Sequence, residues 1–255
     1  MDPTPPVNAR RLNPVDGWLR RLSLRLLPPR CLLCRAPGAE GRELCADCVR
    51  DLPWNRAFCA RCALPLPVAD DASPGRMCGH CQQHPPRFDR LIAPFRYAYP
   101  LDGLITRFKF RHDLAAGALL ADLMAQALVS DDADRPNLVV PVPLHVRRLR
   151  ERGYNQSLEL AKRLAPALGL DIEADALTRQ RATDAQSALD AAARRRNVRD
   201  AFVADPNRIR DRHVALVDDV ATTGATVEEC ARALRIAGAR AVSVWVVARA
   251  PAPTD

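Results

Sequence analysis

Two groups of residues in this 255-residue chain have the types and spacing of working chemistry. The first is the run Val214-Ala215-Leu216-Val217-Asp218-Asp219-Val220-Ala221-Thr222-Thr223-Gly224-Ala225-Thr226. An apolar stretch delivers two adjacent acids, and a small, hydroxyl-rich turn then opens into a helix-forming segment. Such a turn aims backbone N–H groups and threonine hydroxyls at one point, and the positive end of the helix adds to them, which suits a phosphate dianion. Gly224 lets the backbone come close to that anion. The plain alternative is a helix cap made by Asp219 and Thr222. Two charged acids directly after a buried strand are costly unless a ligand or metal uses them, so the complete run favours binding.

The second group is eight of the nine cysteines, which fall in four Cys-x-x-Cys pairs. Cys31, Cys34, Cys45 and Cys48 form one set, and Cys59, Cys62, Cys78 and Cys81 the other. Each pair can form a knuckle whose two sulfurs face one metal, and two knuckles complete a tetrahedron suited to zinc. Sequential pairing makes two tandem zinc ribbons; a cross-braced arrangement, with the first and third knuckles on one metal, stays open. Four thiolates leave no position for a catalytic water, so two structural zinc ions are expected. His80 and His84 flank the last knuckle, and with all four cysteines present they read as bystanders. Cys230 shares a helical face with Val227 and Leu234 and reads as core.

The elements that must position these residues follow from the apolar pattern. Helices are expected over Asp113 to Val129, Asn155 to Ala165, where Pro166 should end or kink the chain, and Thr226 to Ala237, which Gly238 should stop. Apolar runs at Leu138 to Leu144, His213 to Val217 and Ala241 to Val247 read as buried strands. Strands separated by helices imply a parallel sheet. Residues 1–27 read as a proline-rich disordered tail followed by a short amphipathic helix from Val15, residues 28–86 as the double zinc ribbon, and residues 87–250 as the α/β domain. The N-terminal helix reads as packed on a neighbour, with a membrane-surface role as its rival.

No stretch approaches the ~20 apolar residues of a membrane span, and arginines interrupt the N-terminal leucines, so neither a transmembrane nor a secreted protein is expected. A reducing cytoplasm also suits thiolates that bind metal. The formal charge of +8 falls to about +4 once two tetrathiolate zinc sites are counted. What remains is local: Arg107, Lys109 and Arg111; Arg147, Arg148, Arg150 and Arg152; Arg194, Arg195, Arg196 and Arg199. Such clusters suit a polyanion, and with aromatics at 5% there is little to stack on bases.

Asp218 to Thr226 resembles the phosphoribosyl pyrophosphate signature of type I phosphoribosyltransferases. The remaining motifs narrow the resemblance to the ComF family of competence proteins, which join a cysteine-rich ribbon to such a domain. Phe108-Lys109-Phe110 is similar to its first motif. Val140-Pro141-Val142-Pro143-Leu144-His145 and the segment Arg147 to Gln156 are similar to its central one, and Thr183, Gln186, Arg195, Asn197 and Phe202 to another. The match spans about Cys31 to Arg249.

The resemblance implies a type I phosphoribosyltransferase-like parallel sheet with helices on both faces, after a small double zinc ribbon. It implies that Thr222, Thr223, Gly224, Ala225 and Thr226 hold a 5-phosphate and that Asp218 and Asp219, the catalytic acids, contact the ribose hydroxyls. Guanidinium groups grip phosphate oxygens in pairs, so Arg147, Arg148, Arg150 and Arg152 are candidates for the pyrophosphate, unless they are merely solvated at a helix start. The basic segment from Thr178 to Arg199 is expected to be a flap closing over substrate. Magnesium would bridge pyrophosphate and ribose hydroxyls while an acceptor nitrogen attacks C1, and no residue identifies that acceptor. The family's link to natural transformation implies a role in DNA uptake beside other uptake proteins. The competing reading is a non-enzymatic adaptor that binds single-stranded DNA or senses a phosphoribosyl ligand.

Overall fold

Parallel strands covered on both faces need near-continuous apolar runs, and three segments of this chain supply them. The computed structural model describes residues 28–67, 75–129, 135–181 and 198–252. The tail and amphipathic helix expected at 1–27 lie outside the described residues. So do Thr183, Gln186, Arg195 and Asn197, with Arg194 and Arg196. The chain forms two compact units that meet in sequence between Asp51 and Leu52.

In the first unit, Arg30 bridges to Pro37, and Cys45 caps the short helix α1 (Ala46–Arg50). The knuckle at Cys31 is closed by Cys31 N donating to Ala36 O at 2.8 Å and Arg35 N donating to Cys31 O at 2.9 Å. The second unit repeats this at Cys59, where Cys59 N donates to Leu64 O and Ala63 N to Cys59 O, both at 2.9 Å. The fourth residue after the first cysteine has positive φ in each copy, 69° at Arg35 and 52° at Ala63. The duplicated sequence thus builds a duplicated backbone turn.

The remaining elements of the second unit, in chain order, are α2 (Gly79–Gln83), β1 (Arg90–Ile92), β2 (Phe95–Arg96), α3 (Leu101–Phe110), α4 (Leu114–Val129), β3 (Leu138–Pro141), α5 (Val146–Arg152) and α6 (Gln156–Leu168). They continue with β4 (Asp171–Ile172), β5 (Leu177–Arg179), β6 (Phe202–Ala204), α7 (Pro206–Ile209), β7 (His213–Ala221), α8 (Ala225–Ile236) and β8 (Ala241–Arg249). The main sheet is parallel, in the order β1-β8-β7-β3-β4, with β2 also on β8; β5 and β6 form a separate antiparallel pair. Val214 and Leu216 join one core with Val227, Cys230 and Leu234 of α8. Ala215 and Val217, on the opposite face, are equally inaccessible. Both faces are therefore covered. No helix among the described residues is long and apolar enough to cross a membrane.

Several boundaries differ from the sequence pattern. The strand expected to stop at Val217 continues through both acids to Ala221, because β8 pairs with it residue by residue as far as Ala221 opposite Arg249. The run expected from Leu138 to Leu144 leaves the sheet after Pro141, which is paired with Val217. Helix α6 passes through Pro166 to Leu168: the proline lies on the exposed side of the last turn, where the carbonyl it leaves without a donor is open to solvent, and Gly169 (φ 68°) caps the end. Asp113 stands just outside α4 and caps it, its Oδ1 accepting from Ala116 N at 3.0 Å.

Helices α3 and α4 meet where Gly117 faces the ring of fully buried Phe108, and a Cβ at Gly117 would overlap that ring. Gly117→Ala should therefore destabilise the protein by about 1–3 kcal/mol, although alanine is the better helix former. Denaturant midpoints check this, and an unchanged or higher midpoint would show that the two helices separate freely.

Candidate functional site

The acids lie on β7 three and two residues before its end, so their side chains face the carboxyl edge of the sheet where open α/β folds bind ligands. Thr222, Thr223 and Gly224 form the turn that follows. Gly224 has φ 82°, a conformation favouring glycine, and Thr223 Oγ1 accepts from Ala225 N at 3.3 Å, which starts α8. One cleft is lined by Asp218, Asp219 and the whole of Thr222 to Thr226, together with Lys109, Ser157, Arg148, Arg152 and Arg179.

Each acid has its own partners. Lys109 Nζ sits 2.9 Å from Asp219 Oδ1. Burial opposes the lysine charge, but Asp219, with Asp218 behind it, outweighs that effect and holds the Lys109 pKa above its ordinary value. Asp218 Oδ1 accepts from Ser157 Oγ and from Asp219 N, both at 2.9 Å. Burial, and then the neighbouring Asp219 charge, raise the Asp218 pKa to about 7 against the pull of Lys109 and these hydrogen bonds. The pair thus combines a carboxylate matched by an ammonium with a carboxyl group that titrates near neutrality.

The arginine segment divides. Arg148 and Arg152 line the cleft, whereas Arg147 and Arg150 are exposed on α5 outside it. Arg152 is oriented by Gln156 Oε1, which accepts from its Nη1 at 3.2 Å, and by the Phe110 ring 5.1 Å away. Burial, followed by repulsion from Arg152 and Arg147, lowers the Arg148 pKa. Asn155 ties this loop to the sheet, donating to Val142 O at 3.0 Å while its Oδ1 accepts from Ser157 N at 3.0 Å. His112 and Tyr154 tie the end of α3 to the same loop, through Arg152 O and Phe108 O respectively.

Lys109, Ser157 and Arg179 were not among the residues expected in the site. Lys109 could be noticed as the one cation between two phenylalanines, and Ser157 as the hydroxyl that follows the helix cap Asn155. Thr178 and Arg179 belong to β5, so the segment expected to form a flap begins within a strand pair, and residues 182–197 lie outside the described residues. Phe202 is buried on β6 under Arg179, whose guanidinium lies 5.3 Å from the ring centre. Cys230 is fully buried, and burial pushes its pKa well up, so the thiol stays neutral.

The eight paired cysteines gather in two sets in sequential order, with the sulfurs of each set within 4.8 Å of one another. Cys34 and Cys45 sulfurs are 3.6 Å apart, and those of Cys62 and Cys78 are 3.8 Å apart. Four thiolates around zinc at ordinary bond lengths are separated by about 3.8 Å, so both sets fit the ion. Amides already point at these sulfurs: Cys48 N at Cys45 Sγ, 3.4 Å, and Cys78 N at Cys59 Sγ, 3.3 Å.

A parallel sheet with a strand–turn–helix anion cradle, preceded by two tetrathiolate sets, defines a zinc-ribbon phosphoribosyltransferase-like protein. Residues 22–82 match the double zinc ribbon domain and residues 154–255 the phosphoribosyl transferase domain. The chain belongs to the ComF family. It is 39% identical over 228 residues to DNA utilization protein YhgH of Escherichia coli K12, covering 88% of this chain and 98% of that protein. It is 34% identical over 230 residues to Competence protein F of Haemophilus influenzae, covering 87% and 97%. Among solved structures, glutamine phosphoribosylpyrophosphate amidotransferase from B. subtilis is 23% identical over 51% of this chain and 26% of its own, with a TM-score of 0.36.

Two outcomes are expected here. Metal analysis of the purified chain should find two zinc ions, and a single ion would remove one of the two sets from the argument. The second concerns pH. Unfolded Asp218 loses its proton near pH 4, whereas the folded carboxyl keeps it to about pH 7. Its contribution to stability is thus complete at low pH and lost as pH rises through about 7. Asp218→Asn should flatten the fall in stability between about pH 4 and pH 7. Parallel curves for the two proteins would show that Asp218 is ionised throughout.

Proposed function

We propose that this protein binds phosphoribosyl pyrophosphate with magnesium and acts in the cytoplasm as a phosphoribosyltransferase-like component of DNA uptake. The observation that carries this reading is the single cleft shared by the acids, the 222–226 turn and the arginines. The 5-phosphate sits in the turn at the positive end of α8. Asp218 and Asp219 accept from the ribose hydroxyls, and Arg148 and Arg152 hold the pyrophosphate. Magnesium is a hard cation that keeps oxygen ligands, and bound here it would neutralise charge on the leaving pyrophosphate.

The protein's own groups prepare this. Lys109 holds Asp219 in place beside the ribose, and Ser157 fixes which oxygen of Asp218 faces the ligand. In transfer, the bond from ribose C1 to the pyrophosphate oxygen breaks and an acceptor nitrogen bonds to C1, pyrophosphate leaving with the electron pair. Carboxylates near the electron-poor sugar favour that charge distribution. The names of the relatives YhgH and Competence protein F support the placement in DNA use.

Calorimetry with phosphoribosyl pyrophosphate and magnesium tests the binding. Replacing both acids by asparagine should keep the fold and weaken binding by at least about tenfold, or about 1.4 kcal/mol. Unchanged affinity with an intact fold would sink the proposal. Arg152→Ala should weaken phosphoribosyl pyrophosphate more than ribose 5-phosphate, and equal losses would argue for a general polyanion surface. Pyrophosphate release in the presence of bases and amines separates transfer from sensing of the same ligand.

A further inference from the structure

Arg249 ends β8 and is only 7% exposed, and no acidic side chain among the described residues forms an ion pair with it. Its guanidinium is held by main-chain carbonyls. Nε donates to Cys62 O at 3.2 Å, and Nη1 donates to Ala221 O at 3.0 Å, to Ala250 O at 3.0 Å and to Thr222 O. One side chain therefore runs from a cysteine knuckle to the first residue of the phosphate turn.

Both ends of that link are anchored. On the knuckle side, three successive carbonyls are taken: Arg61 O accepts from Leu91 N at 2.8 Å, Cys62 O from Arg249, and Ala63 O from Asn55 Nδ2 at 2.9 Å. On the sheet side, the Arg249 backbone is paired opposite both Arg96 and Ala221. A buried cation needs compensating charge, and the zinc-loaded set Cys59, Cys62, Cys78 and Cys81 supplies about −2. Metal loss removes the ion that ties this knuckle to its partner.

We propose that Arg249 is a positioning residue that couples zinc in the second cysteine set to the shape of the 222–226 turn, so that the phosphate end of a ligand is held tightly only when this zinc is present. The proposal rests on the phosphate-binding reading of that turn. Zinc fixes the Cys62 carbonyl, Cys62 and the thiolate charge fix Arg249, and Arg249 fixes the carbonyls of Ala221 and Thr222. With these carbonyls fixed, the amides of the following residues point into the cleft.

Amide hydrogen exchange in the full-length protein tests the coupling without requiring any ligand. Wild type, Arg249→Gln, Cys81→Ser and the double variant are compared over residues 222–226, with 214–217 reporting the intact core and metal analysis reporting zinc. Cys81→Ser should lose one zinc and speed exchange in the turn by about tenfold, the scale of a lost hydrogen bond to a charged group. Arg249→Gln should do the same with both zinc ions retained. The double variant should exchange no faster than the faster single, because both changes cut one link. Multiplying effects, or a wild-type turn in Arg249→Gln, would overturn the proposal.

If Cys81→Ser also exposes the core, Arg249→Lys decides. It keeps the charge but not the planar fork, so it should exchange like the glutamine variant, and wild-type behaviour would remove the positioning role. Titration with ribose 5-phosphate in a parallel arm should show affinity falling in step with faster exchange. Wild-type protein that binds neither ribose 5-phosphate nor phosphoribosyl pyrophosphate would end the ligand reading, while the exchange cycle still decides whether the turn is coupled to zinc.

Discussion

A carboxylate placed on a strand with both faces covered must be met by partners, and much of the site follows from that requirement. An unpaired charge in such a place costs so much that the group neutralises instead. Asp219 is met by Lys109, and Asp218 by a hydroxyl and an amide while its proton affinity rises. Helix α3 must therefore end within reach of one acid and α6 begin within reach of the other. The Phe108 ring against Gly117, the Tyr154 hydroxyl on Phe108 O and the contact of His112 with Arg152 O locate the end of α3. Asn155 locates the start of α6.

The 222–226 turn is braced differently. Its helix end is set by Gly224 and Thr223, within the segment itself. Its strand end is set from outside, by Arg249 reaching across from β8. A turn that must present several amides to one anion gains from bracing at both ends, because backbone freedom there would spread those amides over many directions. The second cysteine set takes part in this bracing, which gives a metal with no open coordination position a part in shaping a distant surface.

What could be read from the sequence was whatever is contiguous or fixed by a metal. The 13 residues from Val214 to Thr226 carry their own chemistry in order, and Cys-x-x-Cys spacing is dictated by the tetrahedron. Ser157 was not legible in the same way, since it lies 61 residues from Asp218 and meets it only through the crossover of α6 onto the sheet. Arg179 was hidden for the same reason, and Lys109, although visible in the Phe108-Lys109-Phe110 motif, could not be read as the partner of Asp219. The end of β7 was misplaced because paired acids look like the end of a strand, yet backbone pairing with β8 is indifferent to side-chain charge. Strands β1 and β2 are too short to give a periodic signal. Composition changes near Arg87, whereas the compact units divide after Asp51, since residue usage reports what a segment is made of and not what it packs against.

Arg148, Arg152 and Arg179 crowd one cleft with Lys109. Such a concentration of like charge acts well before contact. It reaches into solvent over roughly the Debye length, about 8 Å at physiological ionic strength, and draws polyphosphates toward the mouth of the cleft. Encounter is thus governed by the cationic rim and the salt around it. Residence is governed by short-range hydrogen bonds that salt barely touches, so the same protein would capture its ligand slowly in concentrated electrolyte and release it at nearly the same pace.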